Sequence, residues 1–413
     1  MMQNHQIFEF GNGIRFIHKQ VPYIRASYVG FILDIGSRNE KSKQAGLAHF
    51  WEHLAFKGTR KRSARQIINA LENVGGELNA YTTKEKICFY AACLDKHYEK
   101  AVNLLTDITF NSIFPEKQIE VERGVILEEI ALYRDSPDES LQDDFDILLF
   151  GSHPLGHNIL GEPETVARFH KKDFEDFFHA NADTSKIVLA SIGNLSYSKA
   201  VAIAEKYIKQ LPTLKATHKR ESFKHYKPSQ KTIYKPISQA HHAIGCTAYS
   251  LNDKKRVPFF ILNNILGGPS MNTRLNMALR EKNGLVYAIE SSYIPYTDTG
   301  EWGIYFATDL KNLAKAKSLI SKEIRKLKEQ KLSNLQLHTA KQQLMGQIAL
   351  AEENYMNLML VMGKSLLDTG EIESLQEVFK KIEAITAEEI WEVANEIFDE
   401  NKFSTLTYLP ENE

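Results

Sequence analysis

Two histidines and a glutamate within five residues are the first candidates for chemistry in this chain. His49 and His53 lie four residues apart, so on a helix their imidazoles stand one turn above each other and can reach one metal ion. Glu52 follows His49 by three residues and lies close to the same helical face. Its carboxylate could hold a water molecule on that metal and accept a proton from it. The segment therefore offers two metal ligands and a candidate general base.

The residues on either side indicate that this helix is mostly buried. Residues 45–48 (AGLA) and 54–56 (LAF) are small or apolar. The alternative, two exposed histidines on a polar helix face, fits these neighbours poorly. A buried pair of imidazoles needs a partner, because buried polar groups are rarely left unsatisfied. The context thus favours a metal site.

A third ligand has to come from elsewhere, since a catalytic zinc ion takes three protein ligands and keeps one position open for water. The helical segment 118–133 offers Glu122 and Glu129, which are seven residues apart and share a face. Glu128 points about 100° away from Glu129 and is expected in solvent. An ordinary charged helix face would give the same pattern. Spacing alone therefore leaves the third ligand open.

Residues 46–59 (GLAHFWEHLAFKGT) resemble the pitrilysin family of zinc peptidases, which carry an inverted HxxEH motif. The family includes insulin-degrading enzyme and the mitochondrial processing peptidase. The resemblance implies one Zn²⁺ per chain, bound by His49, His53 and Glu129, the last of these 76 residues beyond the second histidine. It implies that Glu52 is the general base and that Glu122 orients the site, as residues behind a metal's ligands commonly do.

Two further stretches carry the same resemblance. Residues 75–82 (GGELNAYT) are similar to the family segment that opens the edge strand where substrate docks. By resemblance, the substrate-binding positions are Asn79, Ala80, Tyr81 and Thr82. Residues 280–287 (REKNGLVY) are similar to a motif of the family's second half, so Arg280 and Tyr287 are expected to face the substrate near the zinc. They could serve their own chain or a partner subunit.

Composition excludes several other classes of function. The 51 basic and 52 acidic residues give a net charge of −1, so nucleic-acid binding has no electrostatic support. No apolar run is long enough to span a bilayer, and the first six residues lack the pattern of a signal peptide. The three cysteines have no metal-binding spacing and are expected to be reduced. We therefore expect a cytoplasmic protein without membrane or nucleic-acid partners.

The chain is internally duplicated. Residues 129–132 (EIAL) recur as 347–350 (QIAL), and the same order of strands and helices surrounds both, at offsets near 217 residues. The expected fold is α+β, with two duplicated α/β sandwich domains, each a mainly antiparallel sheet with helices packed on one side. We place the catalytic domain at 1–215 and its homologue at 216–413. The second domain has Gln347 in place of Glu129 and is expected to shape the substrate chamber without binding metal.

These observations favour a zinc-dependent endopeptidase that cleaves peptides or unfolded segments with a metal-activated water. By analogy with the family, two chains would form a homodimer that encloses the substrate like a clamshell. A catalytically silent subunit of a two-chain peptidase is one alternative. A structural zinc protein is another, although a structural site would be closed by four ligands and would not need Glu52.

Overall fold

The computed structural model describes residues 5–411, which form two compact units. The first unit comprises the chain up to Ala131 together with His157–Glu221 and Leu350–Ile372. The second comprises Leu132–Gly156, Ser222–Ala349 and the chain from Glu373 onward. The two halves of the sequence are therefore interleaved, since each unit includes a short segment from the other half.

The first unit is built on a six-stranded, mainly antiparallel sheet in the order β1-β2-β6-β3-β5-β4. Among the described strand pairs of this sheet, only β2 and β6 run parallel. The central strands are apolar on both faces because helices cover both sides of the sheet: Phe31 and Ile32 belong to different core layers. The strands are β1 (His5–Glu9), β2 (Arg15–Gln20), β3 (Ala26–Leu33), β4 (Glu77–Thr82), β5 (Ile87–Leu94) and β6 (Ile187–Gly193).

Most helices of the first unit pack on one face of this sheet around an aromatic core. Trp51 and Phe50 are almost completely buried there, and the Trp51 ring meets Phe89 edge-on. The helices of the first half of the chain are α1 (Leu47–Ala55), α2 (Ala64–Glu72), α3 (Tyr98–Phe110), α4 (Glu116–Asp135), α5 (Pro137–Phe150), α6 (Pro163–Val166), α7 (Lys171–Asn181) and α8 (Tyr197–Ile208).

The second unit repeats this plan with a five-stranded sheet in the order β7-β11-β8-β10-β9, again mainly antiparallel. Its strands are β7 (Gln230–Lys235), β8 (Ala240–Ala248), β9 (Val286–Pro295), β10 (Gly300–Thr308) and β11 (Ser404–Pro410). Its half of the chain contributes the helices α9 (Arg256–Gly267), α10 (Leu313–Glu329), α11 (Asn334–Glu352), α12 (Tyr355–Thr369), α13 (Leu375–Ala384) and α14 (Ala387–Ile397). A π-helical turn, Asn276–Glu281, precedes β9.

The two halves exchange one helix each. Helix α12 packs on the first unit's sheet, where Met359 is buried against Ile32 and Val188. Helix α5 packs on the second unit's sheet, where Phe145 is buried beside Leu406. The two helices begin at Pro137 and Tyr355, 218 residues apart, so they occupy equivalent places in the duplication.

The expected fold class, two mainly antiparallel sheets with packed helices, is confirmed. The structure adds the exchanged helix on the opposite face of each sheet, which the division of the sequence at residue 215 does not include. No helix within residues 5–411 is long and apolar enough to cross a membrane. Residues 1–4, part of the segment inspected for a signal peptide, lie outside the described region.

Candidate active site

Helix α1 presents its catalytic candidates on one side and its apolar residues on the other. Phe50, Trp51 and Leu54 are buried in the first unit's core. His49 and His53 lie on the remaining side with their ring centroids 4.6 Å apart. Because the helix repeats every 3.6 residues, burial of its apolar face fixes the direction in which both imidazoles point.

Three ligand atoms converge at this helix. Glu129 Oε2, from α4, lies 3.8 Å from His49 Nε2 and 3.6 Å from His53 Nε2. These distances are too long for hydrogen bonds, but two ligands bound tetrahedrally to one zinc ion would lie about 3.4 Å apart. His49, His53 and Glu129 are the group of described residues whose donor atoms approach closely enough to share a metal. The donor set therefore fits a zinc ion with one position left for water.

His49 is held in the neutral form that binds metal. Burial, together with the neighbouring His53, lowers the pKa of His49 to about 3. A neutral imidazole keeps a lone pair on one nitrogen, which is the form that ligates metal ions. At neutral pH the site can therefore accept a cation without first losing a proton from His49.

Glu122 lies behind His53. Its Oε2 atom is 3.2 Å from His53 Nδ1, and its Oε1 atom is 2.8 Å from Lys57 Nζ. Burial alone would raise the pKa of Glu122, but the hydrogen bonds from His53 and Lys57 outweigh it and lower that pKa. A carboxylate here makes His53 Nδ1 the donor, which leaves the Nε2 lone pair facing the other ligands.

Glu52 is connected to the edge of the sheet. Its Oε2 atom accepts a 2.6 Å hydrogen bond from Thr82 Oγ1, at the end of β4. Burial raises the pKa of Glu52, while the Thr82 hydrogen bond and His53 oppose that rise. The side chain of Glu52, the candidate general base, is therefore oriented by β4, the strand predicted to bind substrate.

The structure places that strand, β4, at an edge of the first unit's sheet. Asn79 is exposed, and its side chain accepts a 2.8 Å hydrogen bond from the Ala80 amide. Tyr81 packs edge-on against Tyr90, and the Lys364 ammonium lies 5.0 Å from the Tyr81 ring centre. Ala80 is half-buried. An edge position leaves backbone groups of β4 available for pairing with another chain.

Arg280 and Tyr287 belong to the second unit. Arg280 lies on the π-helical turn and Tyr287 on β9, with the guanidinium 5.5 Å from the centre of the phenol ring. The Tyr287 side chain is highly exposed, at 88%. The two residues thus form one surface feature, and their participation in catalysis stays a prediction.

Within residues 5–411, the second unit contains no counterpart of the His49, His53 and Glu129 group. Gln347, which stands where the first half has Glu129, donates a 2.9 Å hydrogen bond to Ser270 Oγ. Both residues line a cavity of about 600 Å³ within this unit. Helix α9, the counterpart of α1, carries no histidine. That the second half keeps the scaffold without binding metal stays a prediction.

Two residues around the site, Lys57 and Glu40, were not predicted from the sequence. Lys57 follows His53 by four residues, so helical spacing could have placed it near Glu122. Glu40 accepts hydrogen bonds from the first turn of α1. Its approach depends on the loop before the helix, and local sequence spacing carries no signal for it.

Comparison with known proteins agrees with this architecture. Residues 15–162 match the model of the insulinase family, peptidase family M16, and residues 168–344 match the M16 inactive domain. The chain belongs to peptidase family M16. The pitrilysin-family resemblance is thereby confirmed, and the candidate metal ligands of this M16 chain fall in the part that matches the insulinase model.

Relatives of this M16 chain match it over nearly its whole length. The uncharacterized zinc protease YmxG of Bacillus subtilis is 32% identical over 390 residues, covering 94% of this chain and 95% of the relative. An uncharacterized zinc protease of Rickettsia felis is 33% identical over 398 residues, covering 96% of each. A Helicobacter pylori protease structure has the same fold, with a TM-score of 0.90 at 19% identity and coverage of 98% and 99%.

Proposed function

We propose that this chain is a zinc-dependent endopeptidase. The observation that carries the proposal is the convergence of His49, His53 and Glu129 beside the carboxylate-bearing residue Glu52. When bound, a zinc ion supplies a Lewis acid that lowers the pKa of water toward about 7 and polarises a carbonyl group. The remaining steps fall to the side chains and backbone of the protein.

Glu52 would accept the proton of the attacking water and later deliver it to the leaving amine. The hydrogen bond from Thr82 fixes the Glu52 carboxylate at the end of β4. The general base and the bound peptide would therefore both be positioned by β4. Glu122, supported by Lys57, would keep His53 in the tautomer that ligates metal. For both Glu52 and Glu122, the contacts that these roles require are present in the structure.

The substrate would be an extended peptide that adds to β4 as a further strand. Among residues 5–411, β4 pairs with β5 on one side and no strand is assigned to its other side. Backbone hydrogen bonds along 79–82 would bind many sequences, because main-chain groups are common to all peptides. Oligopeptides and unfolded segments suit this mode of binding better than folded proteins do.

The expected assembly is a homodimer that encloses the substrate, with Arg280 and Tyr287 contacting it from the second unit of the same chain or of a partner. A cytoplasmic location is proposed on the three buried cysteines, which form no disulfide. These proposals concern where and with what the peptidase acts, and the metal site does not depend on them.

Hydrolysis of a quenched-fluorescence peptide library tests the proposal, with wild type beside Glu52→Gln. The variant should retain zinc, measured by elemental analysis, and lose at least about 100-fold in kcat, since positioned proton transfer contributes that much. Glu128→Gln is the matched control, because Glu128 lies next to Glu129 but is exposed, and it should cleave as wild type does. Zinc binding without cleavage by wild type would instead indicate a silent subunit or a structural zinc site.

A further inference from the structure

The first turn of α1 receives its hydrogen-bond acceptors from a distant side chain. Helix N-termini carry backbone N–H groups without intrahelical partners, and a side chain at the N-cap usually accepts from them. Here the N-cap is Gly46, which has none. Glu40 substitutes for it: the Gly46 amide donates to Glu40 Oε2 at 3.0 Å, and the Ala48 amide donates to Oε1 at 2.7 Å.

Glu40 is placed for this task by a buried loop. The side chain is 1% exposed, and its carboxyl group sits at the positive end of the helix dipole, where negative charge is stabilised. The preceding residues are tied to the turn between β4 and β5, because the Ser37 and Arg38 amides donate to the carbonyls of Thr83 and Lys84. Glu40, which accepts hydrogen bonds from the start of α1, is therefore held by the same turn that follows Thr82.

The start of α1 is also constrained sterically. Gly46 has a positive φ of 94°, and a Cβ atom there would lie 2.5 Å from the Leu160 carbonyl oxygen. A side chain at position 46 would therefore clash with the backbone, and two amides at this helix start donate to Glu40. His49 is the residue directly after Ala48, so a shift of the first turn would move a metal ligand.

The geometry points to Glu40 as a positioning residue that sets the register of the metal-binding helix against β4. Through the Gly46 and Ala48 amides, it aligns His49 and His53 with Glu129, and Glu52 with Thr82. Burial raises the pKa of Glu40, and the hydrogen bonds from Ala48 and Gly46 oppose that rise. Glu40 acts through the helix and does not itself touch metal or substrate. This role rests on the proposed metallopeptidase function.

Two substitutions in the full-length chain test the inference. Glu40→Gln replaces one acceptor oxygen with an amide donor, and Glu40→Asp withdraws the carboxylate by one methylene. Asp107→Asn is the matched control, because Asp107 is a buried carboxyl group of the same unit that binds Thr59 and Arg62 and makes no hydrogen bond to α1 among the described contacts. All proteins are compared well below their melting temperatures.

Zinc affinity is measured by chelator competition, and hydrogen exchange of residues 46–53 by mass spectrometry on the metal-free protein. Both Glu40 variants should bind zinc on the order of 10-fold more weakly, as removal of a ligand-orienting group commonly does, and should exchange faster in α1. The control should match wild type in both. Zinc affinity within about twofold of wild type and unchanged exchange in α1 would overturn the inference. Failure of wild type to bind zinc would refute the proposed function instead, while exchange would still decide whether Glu40 fixes the helix.

Discussion

The buried imidazole of His242 should make the stability of the second unit depend on pH. His242 lies on β8 with no exposed surface, and its Nδ1 atom is 2.8 Å from Thr407 Oγ1. Burial, together with the nearby charge of Lys317, lowers the pKa of His242 to about 3. In the unfolded chain the same group should titrate near its ordinary value of 6.5.

The sign and size of the effect follow from these two pKa values. Well above pH 6.5 neither state binds the proton, so His242 has no effect on the pH dependence there. As the pH falls below 6.5, the unfolded state takes up the proton and the folded state does not, so the free energy of unfolding decreases. Between pH 7 and pH 5 the loss from this one residue is about 2 kcal/mol.

Urea denaturation at pH 7 and pH 5, followed by fluorescence, measures this loss. His242→Asn keeps a polar group near the position of Nδ1 and should remove about 2 kcal/mol of the pH dependence, whatever its effect on absolute stability. His338→Asn is the control, since His338 is exposed in the same unit. Contributions from other histidines, including buried His18, cancel in the comparison. Equal pH dependence in wild type and His242→Asn would refute the reasoning.

Three further predictions concern the site and its scaffold. Lys57→Met should weaken zinc binding about 10-fold or more by removing the partner of Glu122, and a chelator-competition assay that shows wild-type affinity would contradict this. A mixture of Glu52→Gln and Tyr287→Phe proteins should regain peptidase activity after subunit exchange if the two residues act across a homodimer, and a mixture that stays inactive would count against that arrangement. Met359→Ala should lower the free energy of unfolding by about 2–5 kcal/mol, because it leaves a cavity under the exchanged helix, and a change below 1 kcal/mol in urea denaturation would show that α12 contributes little.

The sequence predicts those parts of the site that depend on local helical geometry. His49, Glu52 and His53 share one helix, so their relative directions follow from residue spacing alone. Glu129 could be selected from its helix only by family resemblance, because an ordinary charged helix face has the same spacing of glutamates. Glu40 could not be predicted, because its hydrogen bonds depend on the path of a loop and not on a repeat.

In the fold, too, local features could be predicted from the sequence and long-range contacts could not. The duplicated order of strands and helices predicts two sheets of one kind, and the structure agrees. The apolar faces of α5 and α12 are equally visible in the sequence, but periodicity shows only that a helix has a face to bury. Which sheet it covers depends on the path of the chain, and here each helix covers the sheet built by the other half.

The exchange of helices also determines when the first unit can be completed during protein synthesis. The proposed metal ligands have all been synthesised once the chain reaches Glu129, and the last strand of the first sheet is complete at Gly193. The helix that covers the outer face of that sheet is not made until Thr369. A nascent or truncated chain ending before α12 would expose Ile17, Ile32 and Val188, an apolar surface prone to aggregation. The first unit can therefore be completed only when nearly the whole polypeptide has been synthesised, and a fragment containing every proposed metal ligand would still be an incomplete fold.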